Sequence, residues 1–242
     1  RLASILIRAN RFCFWVIKCF KERRKILFHR NEVLSMQNLY FVRHGQTHLN
    51  ATDHVQGGDI DSPLLEKSIE DARKTGLFLK NTAISRAITS PQLRAHNTAT
   101  YILSAFENDI PWETDSRLKE FRYGSWEGLH IPTLAEKYPE TFRHLREEPD
   151  KYNPVQFGGE TYPELIKRGT ESVLYHANRY PNEDLLFVGH SILWTATLLS
   201  LLNFEIKDIR SQSPLGNTSI SKLVKLDNTI KLDTWNYLEH LR

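Results

Sequence analysis

The sequence predicts an α/β protein: a three-layer α/β/α sandwich built on a mostly parallel, doubly wound sheet, with a helical excursion laid over the active site. Three observations predict it. From residue 36 onward, short apolar runs alternate with stretches long enough for helices, the pattern of successive βα units. Two of those runs, 39–42 and 185–188, are almost purely apolar, as strands covered on both faces must be. A composition of 40% hydrophobic and 25% charged residues in a chain of 242 is ordinary globular material, with room for one large domain.

Residues 38–43 read as the first strand. Ser62-Pro63 precedes a helix over about 65–79, with Ile69, Ala72, Leu77 and Leu79 among its apolar positions. Ile84–Thr89 returns as a strand, and Ser90-Pro91 opens a helix through Ala95, Ala99, Ile102 and Leu103. Residues 112–115 fit a short edge strand. The character changes over about 125–160, where Pro132, Pro139, Pro149, Pro154 and Gly158-Gly159 separate short helical pieces in a lid-like insertion. A long helix at about 163–179, a strand at 185–188 and an apolar helix at 192–202 follow. The chain closes with a hairpin, 219–226 and 229–235, turning at Asp227-Asn228.

Residues 1–35 stand apart. They hold nine Lys and Arg against Glu22 and Glu32, a net of +7, so the rest of a +3 chain carries −4. Both cysteines, Cys13 and Cys19, also lie there, with no cluster that suggests a zinc site or a useful disulfide. The sole methionine, Met36, sits just before the first strand. The expectation is a basic leader outside the native domain (upstream translation or a tag), with 36–242 as the folded domain. The alternative is a basic amphipathic helix on a membrane surface, with Phe12, Phe14, Trp15, Val16, Ile17 and Phe20 as its apolar content. Membrane contact is expected only if this segment is native. Its charge-free stretches, 2–7 and 12–17, fall far short of the roughly 20 residues that a span requires. No nucleic-acid partner is expected, and the oligomeric state is left open. A body without cysteine, and without a signal peptide after Met36, points to the cytoplasm.

The first strand ends in Arg43-His44-Gly45. That turn puts a guanidinium, which forks well onto phosphate, and an imidazole, which accepts phosphoryl groups, where open α/β sheets bind ligands. A second strand-end histidine follows in Val188-Gly189-His190-Ser191, at a helix N-terminus whose N–H groups favour anions. Arg94 lies in the first turn of a helix that also begins at a strand end. Glu120 lies in the loop before the excursion.

These residues carry a resemblance. Arg43-His44-Gly45, Asn50, Gln56-Gly57, Asp61-Ser62-Pro63-Leu64, Ser90-Pro91 with Arg94-Ala95 and Thr98-Ala99 occur in order. Glu120, Tyr123-Gly124 with Trp126-Glu127-Gly128, Gly158-Gly159-Glu160 and Gly189-His190 complete the set, which is similar to that of the histidine phosphatase superfamily. That group contains cofactor-dependent phosphoglycerate mutases and many small phosphatases, and the likeness spans 37–242. It implies that His44 is a nucleophile forming a phosphohistidine, and that Arg43 and Arg94 grip the phosphoryl oxygens and keep His44 unprotonated. It further implies that His190 donates to the same group, and that Glu120 protonates the leaving group and then activates water. Asn50, Gln56 and Ser191 would line the substrate site; loop amides such as Asn50 and Gln56 also commonly just support turns. Ser191 and Ser68 stand where relatives often carry glycine. No metal and no cofactor is implied. Glu113, in a strand-like run, and Glu127, expected to be exposed, are rivals for the acid. His48, His54, His96, His130, His144, His176 and His240 read as surface or packing residues.

The resemblance favours the phosphatase branch, acting on a small phosphorylated metabolite. Mutases carry a Gly-Trp-x-Asp pattern after the catalytic loop and extra arginines before the acid, and neither is visible. A phosphoglycerate mutase is the alternative, and a non-catalytic phosphate-binding module on the same fold is a second. The far wall of the pocket is expected from 125–160, where Lys137, Arg143, His144, Arg146, Lys151 and Tyr152 lie.

Overall fold

The computed structural model describes residues 36–227 and 229–242; the expectations placed on 1–35, and the turn residue Asn228, lie outside them. Six strands are present among the described residues: β1 (Met36–Arg43), β2 (Ile84–Thr89), β3 (Trp112–Thr114), β4 (Asp184–Gly189), β5 (Ile220–Leu226) and β6 (Thr229–Tyr237). The helices are α1 (His48–Ala51), α2 (Glu66–Leu79), α3 (Leu93–Leu103), α4 (Ile131–Lys137), α5 (Pro139–Glu147), α6 (Tyr162–Arg179) and α7 (Ser191–Leu201). None of the described helices is long and apolar enough to cross a membrane.

The strands form one sheet in the order β3-β2-β4-β1-β5-β6. Neighbours from β3 to β1 run parallel, whereas β5 is antiparallel to β1 and β6 to β5, so the expected hairpin becomes an antiparallel edge. The chain leaves β1 toward β2 on one side and leaves β4 toward β5 on the other. The loops after these adjacent strands therefore diverge, opening a crevice at their carboxyl ends.

Side chains of a strand alternate between faces, and the two layers follow from that period. Leu39, Phe41, Leu185 and Phe187 point into one core with Leu165, Val173, Leu193 and Trp194 of α6 and α7. Tyr40, Val42, Leu186 and Val188 point into the other with Ala72, Leu79, Ala95, Ala99 and Ile102 of α2 and α3. The three-layer expectation holds. Within α2 the buried face runs through Ser68, Ala72, Thr75, Gly76 and Leu79, while Leu77 turns outward. Gly76 is required there because a Cβ would meet the Ile102 carbonyl of α3.

Several boundaries move slightly. Leu65 precedes α2 as its cap residue, and Pro91 lies before rather than inside α3, whose cap residue is Gln92. Asp115 leaves β3 to cap a short 3₁₀ turn, accepting the Arg117 N–H. The excursion packs onto the α6/α7 core through Leu134, Leu145, Tyr152 and Phe157. Its base is an aromatic stack, with Trp126 4.6 Å from Phe157 and 5.6 Å from Tyr138. Gly124 enters it at φ +59, where an added Cβ would strike the Phe157 carbonyl.

Candidate active site

The register of the central pair builds the site. Arg43 pairs with Gly189 across β1 and β4, and the His44 N–H donates to the Gly189 carbonyl at 2.8 Å. His44 and His190 thus leave adjacent strand ends together, with ring centroids 5.2 Å apart. The end of β2 adds Ser90, whose N–H donates to Val188 O at 3.0 Å and whose Oγ lies 2.8 Å from His190 Nε2. His44, Arg94, Glu120 and His190 are 4%, 1%, 6% and 0% exposed, a density of buried polar groups that a passive fold would avoid.

His44 Nδ1 sits 2.7 Å from the Gly45 carbonyl, which can only accept. The proton is therefore on Nδ1 and the lone pair on Nε2. Burial first, and then the Arg94 and Arg43 charges, hold His44 well below its ordinary pKa. His190 is depressed in the same direction, by burial first and then by Arg94 and His44. Arg43 Nη1 donates to Leu215 O at 2.6 Å, and burial lowers its pKa to about 10. Arg94 is fixed by Ile60 O, Asp61 Oδ1 and Gly57 O at 2.9–3.0 Å. Three buried nitrogens of this cluster, Arg43 Nε, Arg94 Nε and His190 Nδ1, have no hydrogen-bond partner in the structure.

Glu120 does more than stand near the site. Its Oε1 accepts the Phe121 and Leu193 N–H groups at 2.8 and 3.0 Å, and its Oε2 accepts the Ile192 N–H at 3.2 Å. The carboxylate thus closes the N-terminus of α7, the helix that begins directly after His190. Glu120 is held in turn by backbone contacts. Its N–H donates to Gln92 Oε1 at 2.8 Å, and its carbonyl accepts from Arg168 Nη2 at 3.0 Å.

Of the remaining expected residues, Asn50 shares a capping box with Thr47 at the start of α1, which commits its Oδ1 to the Thr47 N–H. Gln56 has both ends engaged in its own loop: Oε1 accepts the Thr47 hydroxyl at 2.7 Å, and Nε2 lies 3.4 Å from Asp61 and Ser62. Ser191 is the half-buried first residue of α7. Glu113 receives the Tyr180 hydroxyl at 3.1 Å, away from this cluster. Glu127 corrects the expectation of an exposed side chain. It is half-buried, and its carboxylate accepts the N–H groups of Gly58, Asp59, Ile60 and Tyr123. Tyr152 is buried against Phe121 and Tyr162.

Sequence reasoning missed the supports. Gln92 Nε2 donates to Gly57 O at 2.9 Å, the carbonyl that also receives Arg94 Nη2, so one side chain ties Arg94's loop to Glu120's. Arg168 makes a bidentate pair with Glu160 and braces the carbonyls of Arg117, Lys119 and Glu120. Asn217 Nδ2 donates to His44 O at 2.9 Å.

A buried imidazole held toward its neutral form by burial and two arginines, beside a second histidine, has the chemistry to receive a phosphoryl group. The model of the histidine phosphatase superfamily (branch 1) matches residues 39–238, and the chain belongs to that superfamily. Among its relatives is the fructose-2,6-bisphosphatase TIGAR of Bos taurus, 36% identical over 135 residues. That alignment covers 55% of this chain and 48% of the relative, so the match spans about half the bovine protein. Phosphoserine phosphatase 1 of Hydrogenobacter thermophilus is 29% identical over 172 residues, covering 71% of this chain and 79% of the relative. A Shigella boydii protein named "Probable phosphoglycerate mutase GpmB" is 37% identical over 195 residues, covering 78% and 85%. The solved structure of Bacillus stearothermophilus YhfR superposes with a TM-score of 0.80 at 27% identity, covering 85% of this chain and all of that one.

Proposed function

We propose that this chain is a phosphomonoester hydrolase that passes the phosphoryl group of a small phosphorylated metabolite through His44 to water. The observation that carries this reading is the set of unpartnered buried nitrogens, Arg43 Nε, Arg94 Nε and His190 Nδ1, beside a His44 whose Nε2 holds the lone pair. Buried donors without acceptors cost about 1–3 kcal/mol each, and a tetrahedral phosphoryl group would supply acceptors to all three.

The steps follow from the side chains. His44 Nε2 attacks phosphorus as the ester P–O bond breaks, and Glu120 gives its proton to the departing alkoxide oxygen. Oε2, which accepts only one N–H, has the capacity to carry that proton. Glu120, now a carboxylate, then takes a proton from water as the water oxygen attacks phosphorus and the P–N bond breaks. Inorganic phosphate leaves and His44 returns neutral. Arg43 and Arg94 stabilise charge on the transferring group in both steps. Ser90 Oγ accepts the Gln92 N–H and can spend its own proton on His190 Nε2, which places the free N–H of His190 on Nδ1. In the same proposal Asn50, with its oxygen committed to Thr47, turns its NH₂ to the phosphoryl group. Ser191 lines the substrate's approach, and Gln56 acts by holding the loop on which Asn50 and Arg94 depend. A cytoplasmic location and a dispensable leader belong to this reading and rest on composition.

Similarity to a mutase-named relative favours one second reading, phosphoglycerate mutase. Release of inorganic phosphate from phosphorylated sugars, phosphoserine and phosphoglycerates should greatly exceed interconversion of 2- and 3-phosphoglycerate, even after priming with 2,3-bisphosphoglycerate. Dominant primed interconversion would transfer the assignment to the mutase. Neither activity, with phosphate still bound, would make the fold a binding module.

A further inference from the structure

We propose that His54 and His130 form a two-imidazole site for a borderline divalent transition-metal ion, of the zinc class, that clips an active-site loop to the start of the excursion. The site is separate from the hydrolytic machinery and does not depend on that reading.

The backbone brings these residues together from two separate loops. His54 lies between α1 and Gln56-Gly57, and His130 directly precedes α4; the two pair across an isolated antiparallel bridge. The flanking hydrogen bonds, Val55 N–H to Leu129 O at 2.9 Å and Ile131 N–H to Asp53 O at 2.8 Å, make this a non-hydrogen-bonded pair. At such a position the side chains of opposite residues approach most closely, with Cβ atoms about 4.5–5.5 Å apart. The imidazole centroids are 5.4 Å apart and their planes are tilted by 54° rather than stacked. Two rings bound to one tetrahedral ion at about 2.0–2.1 Å per nitrogen place their centroids about 5 Å apart. The unliganded rings already stand at that spacing.

The tautomers fit as well. Thr52 Oγ1 lies 3.0 Å from His54 Nδ1, where it can accept the ring proton and leave the lone pair on Nε2. His130 Nδ1 lies 3.4 Å from Thr133 Oγ1, a looser version of the same support. Hydroxyls or carbonyls on the far nitrogen are how ligating histidines are commonly oriented. His54 is half-buried and His130 exposed, and neither pairs with a carboxylate among the described residues. Imidazole suits zinc, nickel and copper rather than magnesium or calcium.

An ion held there would join residues 53–57 to 129–131. The first stretch contains Gly57, whose carbonyl fixes both Arg94 and Gln92, and the second opens the excursion. The clip would thus tie the arginine's loop to the pocket's outer wall.

The test is calorimetric titration of the full chain with Ni²⁺, and then Zn²⁺, after alkylation of Cys13 and Cys19. One equivalent should bind and raise the Tm, and binding should weaken at pH 5.5 because protons compete for both nitrogens. His54→Ala and His130→Ala should each weaken it at least tenfold while leaving metal-free hydrolysis unchanged. Thr52→Val should weaken it by about 10–100-fold, the usual effect of removing such a support. Equal affinity in the wild type and both alanine variants, or no saturable binding below millimolar metal, would overturn the proposal without touching the hydrolase assignment.

Discussion

Glu120 is asked to do two things, and two substitutions separate them. Glu120→Ala leaves the Phe121, Ile192 and Leu193 N–H groups without their acceptor in a site that is 6% exposed. Unsatisfied buried donors cost about 1–3 kcal/mol each, and partial relief by water brings the expected loss to about 3 kcal/mol. For a domain of this size that is about 6–12 °C in Tm. Glu120→Gln keeps an amide oxygen for the Phe121 and Leu193 donors and misdirects only its NH₂ toward Ile192. It should cost about 1 kcal/mol. Neither variant can give a proton to an alkoxide. Quenched-flow measurement with a sugar phosphate should therefore show both variants slowing His44 phosphorylation by about 10²–10⁴-fold. An activated aryl phosphate, whose leaving group needs no proton, should lose far less. Equal slowing of both substrates would refute the general-acid role. A Glu120→Ala Tm within a degree of wild type would refute the capping role.

Three further predictions follow from the same geometry. Arg94→Gln should lower kcat/KM by at least about 10²-fold, as loss of a transition-state donor does. It should also move the acid limb of kcat/KM upward, because Arg94 helps burial keep His44 unprotonated below its ordinary value of 6.5; an unmoved limb would refute that coupling. Asp115→Asn should destabilise by about 1–3 kcal/mol, since Ser172, His176 and a partly exposed Arg117 all converge on that carboxylate. Burial pushes the Asp115 carboxyl up, but bonds from His176, Arg117 and Ser172 more than reverse this. Its contribution is therefore present above the ordinary 3.8 and lost as pH falls below it, and denaturation of the variant should lack that acid limb. A chain beginning at Met36 should retain Tm and turnover; a large drop in either would show that residues 1–35 contribute to the domain.

The central strands and the polar residues at their ends were clear in the sequence, for physical reasons. Runs such as 39–42 and 185–188 are apolar over a length that suits buried strands, and each is followed by a histidine turn, Arg43-His44-Gly45 and Gly189-His190-Ser191, whose polar groups an apolar core does not need. The helix faces were harder. In α2 the buried positions include Ser68 against Gly45, Thr75 bonded to Asp71 O and His240, and Gly76 against α3, none of them marked by hydrophobicity, so apolar spacing put Leu77 on the wrong side. Four-residue α1 rests on the Thr47–Asn50 capping box and is too short to show a period. Glu127 looked exposed because charge predicts exposure, yet loop 58–60 turns three N–H groups onto it. Gln92 and Arg168 were illegible for another reason. Their partner Glu120 lies 28 and 48 residues away, and no local pattern marks a hydrogen bond made only after the chain closes. Glu120's seat on α7 was hidden in the same way.

Phosphoryl transfer through this site requires a covalent bond at His44. Turnover of a substrate radiolabelled in its phosphoryl group should be stopped with an alkaline denaturing quench and the protein digested. Label should appear on the peptide carrying Arg43-His44-Gly45, stable to base and lost in mild acid, formed and discharged at least as fast as turnover. His44→Ala should neither label nor turn over. Turnover by His44→Ala near the wild-type rate, or label on a hydroxyl or on His190 instead, would contradict that requirement.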